Sequence, residues 1–189
     1  MRLSNPLNNH LSDEALAEKL RQGETLVLTL LMERYKKSLY RTIWRHVGNE
    51  DDAYDLLQET FVRLYQKIDL YKPEHRFKPW LFQIAVNLCR DHLRYRKLRR
   101  LFWIRADETL DAPSDNPSPE QQTADILDYQ RVQQAIERLP SALRTAFILF
   151  AVEEHSLLEC ADILDVTPKT IETRVYRARK ILNETLKAC

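Results

Sequence analysis

Six cations crowd the end of the stretch FKPWLFQIAVNLCRDHLRYRKLRR, residues 77–100: Arg90, Arg94, Arg96, Lys97, Arg99 and Arg100 face one acid, Asp91, with His92 and Tyr95 among them. Guanidinium groups beside a planar ring can follow a phosphate backbone and stack on unpaired bases. The same cluster also suits a solvated helix end, where positive charge is favoured by the dipole. Just ahead, the loop 69–78 sets Tyr71, His75, Arg76, Phe77 and Lys78 together. Aromatics beside cations can hold a flipped base, and they can equally close over a core.

Two more polar groups have helical spacing. In EDDAYDLLQETFVRLYQKI, residues 50–68, Asp52, Asp55, Gln58 and Glu59 gather on one face, while Ala53, Leu57, Phe61, Leu64 and Ile68 form the apolar one. Acids near a helix start are stabilised by the dipole, and the same carboxylates and amide would suit docking to a basic protein surface. In SLLECADILDVTPKTIETRVYRARKIL, residues 156–182, Ile171, Val175, Ala178 and Leu182 share one side. Lys169, Glu172, Thr173, Tyr176, Arg177 and Lys180 are left on the other, the side-chain types that bond base edges and phosphates in a major groove. A helical hairpin that never meets DNA has the same outline.

Other chemistry has little to build on. The five histidines are scattered, no glycine-rich phosphate loop occurs, and no nucleophile, base and orienting group can be assembled, so an enzyme is not expected. The three cysteines, Cys89, Cys160 and Cys189, form no C-x-x-C, which speaks against a disulfide framework or a zinc site and for a reducing cytosol. Cys89 and His92 stand one helical turn apart, but two ligands do not make a metal site. Neither a metal nor another cofactor is expected. No apolar run approaches the length of a membrane span, and the start, MRLSNPLNNH, has no signal-peptide core, so membrane insertion is not expected.

The elements that would position these groups are helices throughout. Only Gly23 and Gly48 occur as glycines, and alternating strand patterns are hard to find, which predicts an all-α chain. Ser12 reads as an N-cap with Asp13 and Glu14 in the first turn of a helix that stops near Gly23. An amphipathic helix follows over 24–46, with Leu28, Leu31, Tyr35, Leu39 and Ile43 at helical spacing, and Gly48 and Asn49 end it. After the helices at 50–68 and 77–100 the charge turns negative. Asp107, Glu108, Asp111 and Asp115, with Pro113 and Pro117, predict a flexible acidic linker over 101–117. Its 17 residues would reach about 55 Å when extended. Ser118 to Gln121 has capping-box form and opens a helix to Leu139, a short apolar helix covers 141–151, and a helix-turn-helix closes the chain, with Asp165 and Val166 as its turn and Thr167 and Pro168 starting its second helix.

Together these stretches resemble a bacterial RNA polymerase sigma factor of the extracytoplasmic-function group. DAYDLLQETFVRLYQKI is similar to that family's region 2.2, FKPWLFQIAVNLCRDHLRYRKLRR to its regions 2.3 and 2.4, and LPSALRTAFILFAVEEHSLLECADILDVTPKTIETRVYRARKIL to its region 4. The resemblance implies two small helical domains, a region 2 bundle at 12–100 and a region 4 helix-turn-helix domain at 118–189, joined by the linker. It implies an alternative sigma factor that binds core RNA polymerase, on the clamp of the largest subunit and the flap of the second, and reads promoter DNA as duplex at −35 and as single strand at −10. Asp52, Asp55, Gln58 and Glu59 match the polymerase-docking surface. His75, Arg76, Phe77 and Lys78 match the part that captures an unpaired base, and Asn87, Arg90 and Arg94 the helix that tracks the opened strand. Trp80 is expected in the core beneath that loop. Lys169, Glu172, Thr173, Arg174, Tyr176, Arg177 and Lys180 match recognition-helix positions.

An anti-sigma factor partner is also implied, with the protein cytoplasmic or held by that partner at the inner face of the membrane. Three positions depart from the family pattern: His155 and Asp165 where glycine is frequent, and Glu172 where Arg or Lys is. A self-sufficient helix-turn-helix regulator is the competing reading. The acids around Asp55 separate the two, because only polymerase docking needs them.

Overall fold

The computed structural model describes residues 10–106 and 124–187, and among them it forms eight helices and no strand: α1 Asp13–Arg21, α2 Val27–Val47, α3 Glu50–Lys67, α4 Phe77–Ala106, α5 Ala124–Arg138, α6 Ser141–Phe147, α7 Leu157–Leu164 and α8 Pro168–Lys187. A 3-10 turn, Ile68–Leu70, continues α3, and a π-helical turn, Ile148–Val152, continues α6.

The helix ends follow capping chemistry. Ser12 Oγ accepts from the Ala15 N–H at 3.1 Å, satisfying one of the donors that a helix start leaves open. At the far end of α1, Gly23 takes φ +91° and the Glu24 N–H reaches back to the Lys19 carbonyl at 3.0 Å, a Schellman-type stop. Between α2 and α3 just two residues make the reversal. Gly48 takes φ +72° and donates to the Trp44 carbonyl at 2.8 Å, and Asn49 Oδ1 then accepts from the Asp52 N–H at 2.9 Å. Ser156 and Glu159 form a complete capping box on α7, and Thr167 Oγ1 accepts from the Thr170 N–H at 3.2 Å to start α8.

One large apolar cluster runs through α1 to α4. Leu16, Leu31, Leu39, Ile43, Leu64, Phe77 and Leu81 are all fully buried in it. The N-terminus of α4 sits in an aromatic nest, with the Phe77 ring centroid 6.0 Å from Tyr35, 5.6 Å from Tyr71 and 6.0 Å from Trp80. Glu14 of α1 accepts from the Phe77 N–H at 3.2 Å, placing a carboxylate at the positive end of the α4 dipole. Trp80, expected in the core, is partly buried against Tyr71 at the edge of the cluster. The same cluster continues into Ala146, Leu149, Cys160, Ala161, Ile163, Ile171 and Val175, so the helix-turn-helix packs onto the N-terminal bundle rather than standing apart. A smaller cluster of Ala135, Ile136, Leu139, Ile148, Ala178 and Leu182 binds α5, α6 and α8 together.

The expected linker is shortened at its start. Residues 101–106 continue α4, where LFWIRA has neither proline nor glycine to stop it. As helix they advance about 9 Å rather than the roughly 20 Å of an extended chain. Residues 107–117, the capping box at Ser118 to Gln121, and Cys189 lie outside the described residues.

Two stability predictions follow from these contacts. Asn49→Ala removes a side-chain cap and should cost about 1 kcal/mol, lowering Tm by roughly 2–4 °C in a thermal melt. An unchanged Tm would mean the cap is not needed. His46 is wholly buried, its Nδ1–H donating to the Thr42 carbonyl at 2.7 Å, and burial, aided by the nearby Arg144 charge and opposed by the Thr42 bond, lowers its pKa to about 4. The unfolded imidazole takes a proton near pH 6.5 and the folded one does not, so this contribution is full above pH 6.5 and is lost as pH falls toward 4, by about 3 kcal/mol. Urea denaturation at pH 7 and pH 4.5 should show a much smaller pH loss for His46→Gln than for the natural chain; equal losses would contradict this account.

Candidate nucleic-acid interface

The second helix of the helix-turn-helix carries the clearest candidate surface. Asp165, in the turn, adopts the left-handed conformation at φ +51°, which Asp tolerates better than most side chains, and this accounts for an acid where glycine is frequent. Ile171, Val175, Ala178 and Leu182 are buried, as their spacing predicts. Lys169, Glu172, Thr173, Tyr176, Arg177 and Lys180 are exposed, Tyr176 at 71%. Lys169 Nζ pairs with Glu172 Oε2 at 2.9 Å, so the one acid on this face is locally neutralised. Arg174 differs: it is half-buried and turned toward α4, where it lines a cleft of about 110 Å³ together with Arg90, Ala142, Thr145 and Leu164.

Along α4, Asn87, Arg90 and Arg94 are exposed, and Arg94 shares Asp91 Oδ1 at 3.2 Å. In the loop ahead, His75 and Arg76 are exposed, and Lys78, in the first turn of α4, is half-buried. Phe77 does not belong with them as a surface ring. It is 0% exposed, held on three sides by Tyr35, Tyr71 and Trp80, so its role is to fix the loop from beneath rather than to receive a base. The Tyr71 hydroxyl completes that support by donating to the His75 carbonyl at 2.7 Å.

On α3 the four polar positions divide. Asp52 is drawn inward: its Oδ2 pairs with Arg96 at 3.1 Å and lies 3.3 Å from His92 Nε2. Glu59 pairs with Arg63 at 2.7 Å. Asp55 and Gln58 are exposed and have no ion-pair or hydrogen-bond partner among the described residues, with Tyr54 and Val62 exposed beside them. An acid and an amide thus stand open to solvent on this face beside two exposed apolar side chains.

The charged partners of the loop were hidden from sequence reasoning. Arg76 Nη2 meets Asp162 Oδ2 at 2.8 Å, and Lys78 Nζ meets Glu159 Oε1 at 2.7 Å. Burial opposes the charge on Glu159, but Lys78 and the Ser156 donors outweigh it and hold its pKa near 2. Glu153, its carboxylate 1% exposed, takes Arg41 on one oxygen at 2.6 Å and Arg45 on the other at 2.8 Å. No motif marks these acids, which act across more than 80 residues of chain. His155, the other departure from the family pattern, is buried with its ring edge-on to Phe82 at 4.9 Å, and burial lowers its pKa.

Among the described residues, Cys89, Cys160 and His92 do not come together as a site. Cys89 and Cys160 are buried, burial pushes both thiols up to about 12, and His92 faces Asp52. No group of three metal-ligating side chains occurs among the described residues, and no helix among them is long and apolar enough to cross a membrane.

Comparison with known proteins agrees with the two-part layout. Sigma-70 region 2 matches residues 31–99, and Sigma-70 region 4 matches residues 129–182. The chain is 33% identical to the RNA polymerase sigma factor NccH of Alcaligenes xylosoxydans xylosoxydans, across 93% of this chain and 95% of that one. It is 29% identical to the ECF RNA polymerase sigma factor SigW of Bacillus subtilis, across 90% and 94%. Among solved structures, CnrH in complex with the cytosolic domain of CnrY superimposes with a TM-score of 0.70 at 26% identity, covering 93% of this chain and 97% of that one. With both regions matched in order and relatives covered nearly end to end, the chain belongs to the extracytoplasmic-function group of bacterial RNA polymerase sigma factors, alternative sigma factors that direct promoter-specific initiation of transcription.

Proposed function

We propose that the two modules divide the work of initiation. The module over 12–100 docks core RNA polymerase and holds the opened −10 strand, and the module over 118–189 reads the −35 duplex and contacts the flap of the second subunit. The observation that carries this reading is the open pair Asp55 and Gln58 on α3, exposed beside Tyr54 and Val62 and without an internal partner among the described residues. These groups meet the clamp of the largest subunit, while Asp52 and Glu59, already paired, shape the face from its edge.

At −35, α8 enters the major groove. Thr173, Tyr176, Arg177 and Lys180 project from it, and the Lys169–Glu172 pair separates there: the lysine goes to a phosphate and the carboxylate accepts from a cytosine amino group. At −10, His75, Arg76, Lys78, Asn87, Arg90 and Arg94 follow the single strand. Unstacking costs a few kcal/mol per base step. A cationic track recovers that cost by holding the separated strand, so melting draws on binding energy and needs no nucleotide hydrolysis by this chain. An anti-sigma factor would restrain the protein until induction, holding it in the cytoplasm or at the inner membrane face. That CnrH was solved in complex with the cytosolic domain of another protein, CnrY, supports a protein partner of this kind.

The docking face gives the test. Asp55→Ala with Gln58→Ala should weaken capture of core polymerase at least about tenfold, the scale of a lost charge-assisted contact, while the affinity of the same chain for duplex DNA stays unchanged. Undiminished polymerase capture would sink this reading and place the polymerase contact on another face of the chain.

A further inference from the structure

Two of the cations assigned to the opened strand, Arg76 and Lys78, already have partners, and those partners come from the other module. Glu159 and Asp162 stand one helical turn apart on α7, and their carboxylates meet Lys78 at 2.7 Å and Arg76 at 2.8 Å. Two negative groups carried on one helix face thus stand against two cations separated by a single residue, Arg76 at the end of the loop and Lys78 in the first turn of α4, much as two phosphates would. The contact lies at the rim of a shared core, where Cys160, Ala161 and Ile163 of α7 are buried in the same cluster as Phe77, Leu81 and Phe82 of α4. Glu153 with Arg41 and Arg45, and His155 against Phe82, fasten the same junction. Across it, Arg90 of the strand-tracking helix and Arg174 of the recognition helix line one cleft. Each reading surface therefore has an arginine turned toward the other module.

We infer that this packing is autoinhibitory, with the α7 carboxylates of Glu159 and Asp162 standing in for promoter phosphates on Lys78 and Arg76. The inference rests on the −10 role proposed for those two cations. The latch is a light one. The Arg76–Asp162 pair is about half-exposed on both sides and is screened by salt, whereas Glu159, at 19%, is more sheltered. A polyanion that offers several phosphates at once can displace two such carboxylates, and a protein that pulls α7 away can do so as well. The closed form thus discriminates against stray single strands without blocking a promoter opened on polymerase.

The full chain with a fluorescein-labelled pool of random single-stranded 12-mers tests this by fluorescence anisotropy. Glu159→Gln with Asp162→Asn removes both charges but keeps the capping box, since Gln also serves at that position. This variant should bind the pool about fivefold tighter than the natural chain, as expected when a dominant closed population is released. Glu33→Gln with Glu184→Gln makes the same change in net charge at exposed positions away from the contact and should leave affinity where it was. Adding Arg76→Gln and Lys78→Gln to the first variant should erase its gain. Equal affinity of the natural chain and the first variant, with Arg76→Gln and Lys78→Gln still weakening binding, would overturn autoinhibition and leave the −10 role standing. A gain matched by the control variant would overturn it too, as an effect of net charge. No effect of Arg76→Gln and Lys78→Gln in either background would remove the −10 role, and the inference with it.

Discussion

The burial of the first half of α4 is the constraint on which the rest depends. Phe77, Leu81, Phe82, Ala85, Val86 and Cys89 are at most 1% exposed, packed against α2 and α3 on one side and α7 on the other. A buried side chain of phenylalanine or leucine size contributes roughly 1.5–3 kcal/mol relative to exposure. Repulsion among exposed cations is far weaker in water and is screened by salt. The apolar half therefore decides where the helix lies, and the basic half is carried wherever the core puts it. That asymmetry lets one helix be the keystone of the bundle and still present a row of exposed cations.

Charge pairing then sorts similar side chains into different work. On α3, Asp52 is satisfied by Arg96 and Glu59 by Arg63, while Asp55 and Gln58 stay open to solvent. On α7, Glu159 and Asp162 act across the junction, and Glu153 is buried between two arginines of α2. Removing Glu153 would leave two like charges side by side at the junction, with Arg45 the more sheltered of the two. The junction is thus held by burial and one sheltered carboxylate, with weaker pairs at its rim.

Much of this was legible in the chain. The Ser12 cap, the stop at Gly48, the turn at Asp165, the Thr167 start of α8 and its inward face of Ile171, Val175, Ala178 and Leu182 are local, so spacing and residue type suffice to place them. What escaped is non-local. Phe77 reads as an exposed aromatic beside cations until Tyr35, 42 residues earlier, comes to cover it. Asp52 reads as a docking acid until Arg96 arrives from 44 residues later. The continuation of α4 to Ala106 was masked by the acids that begin at Asp107, although LFWIRA itself contains no helix breaker. The contacts from Glu153, Glu159 and Asp162 carry no sequence signal, because ion pairs between separate modules have no fixed spacing.

The most direct test of the central claim is multi-round transcription from a pooled promoter library by core RNA polymerase, with and without this protein, followed by sequencing of the transcripts. The account predicts discrete new start sites that appear only when the protein is added and that share two upstream elements, one duplex-read and one melted. Unchanged transcripts, obtained with protein that still binds DNA, would contradict it.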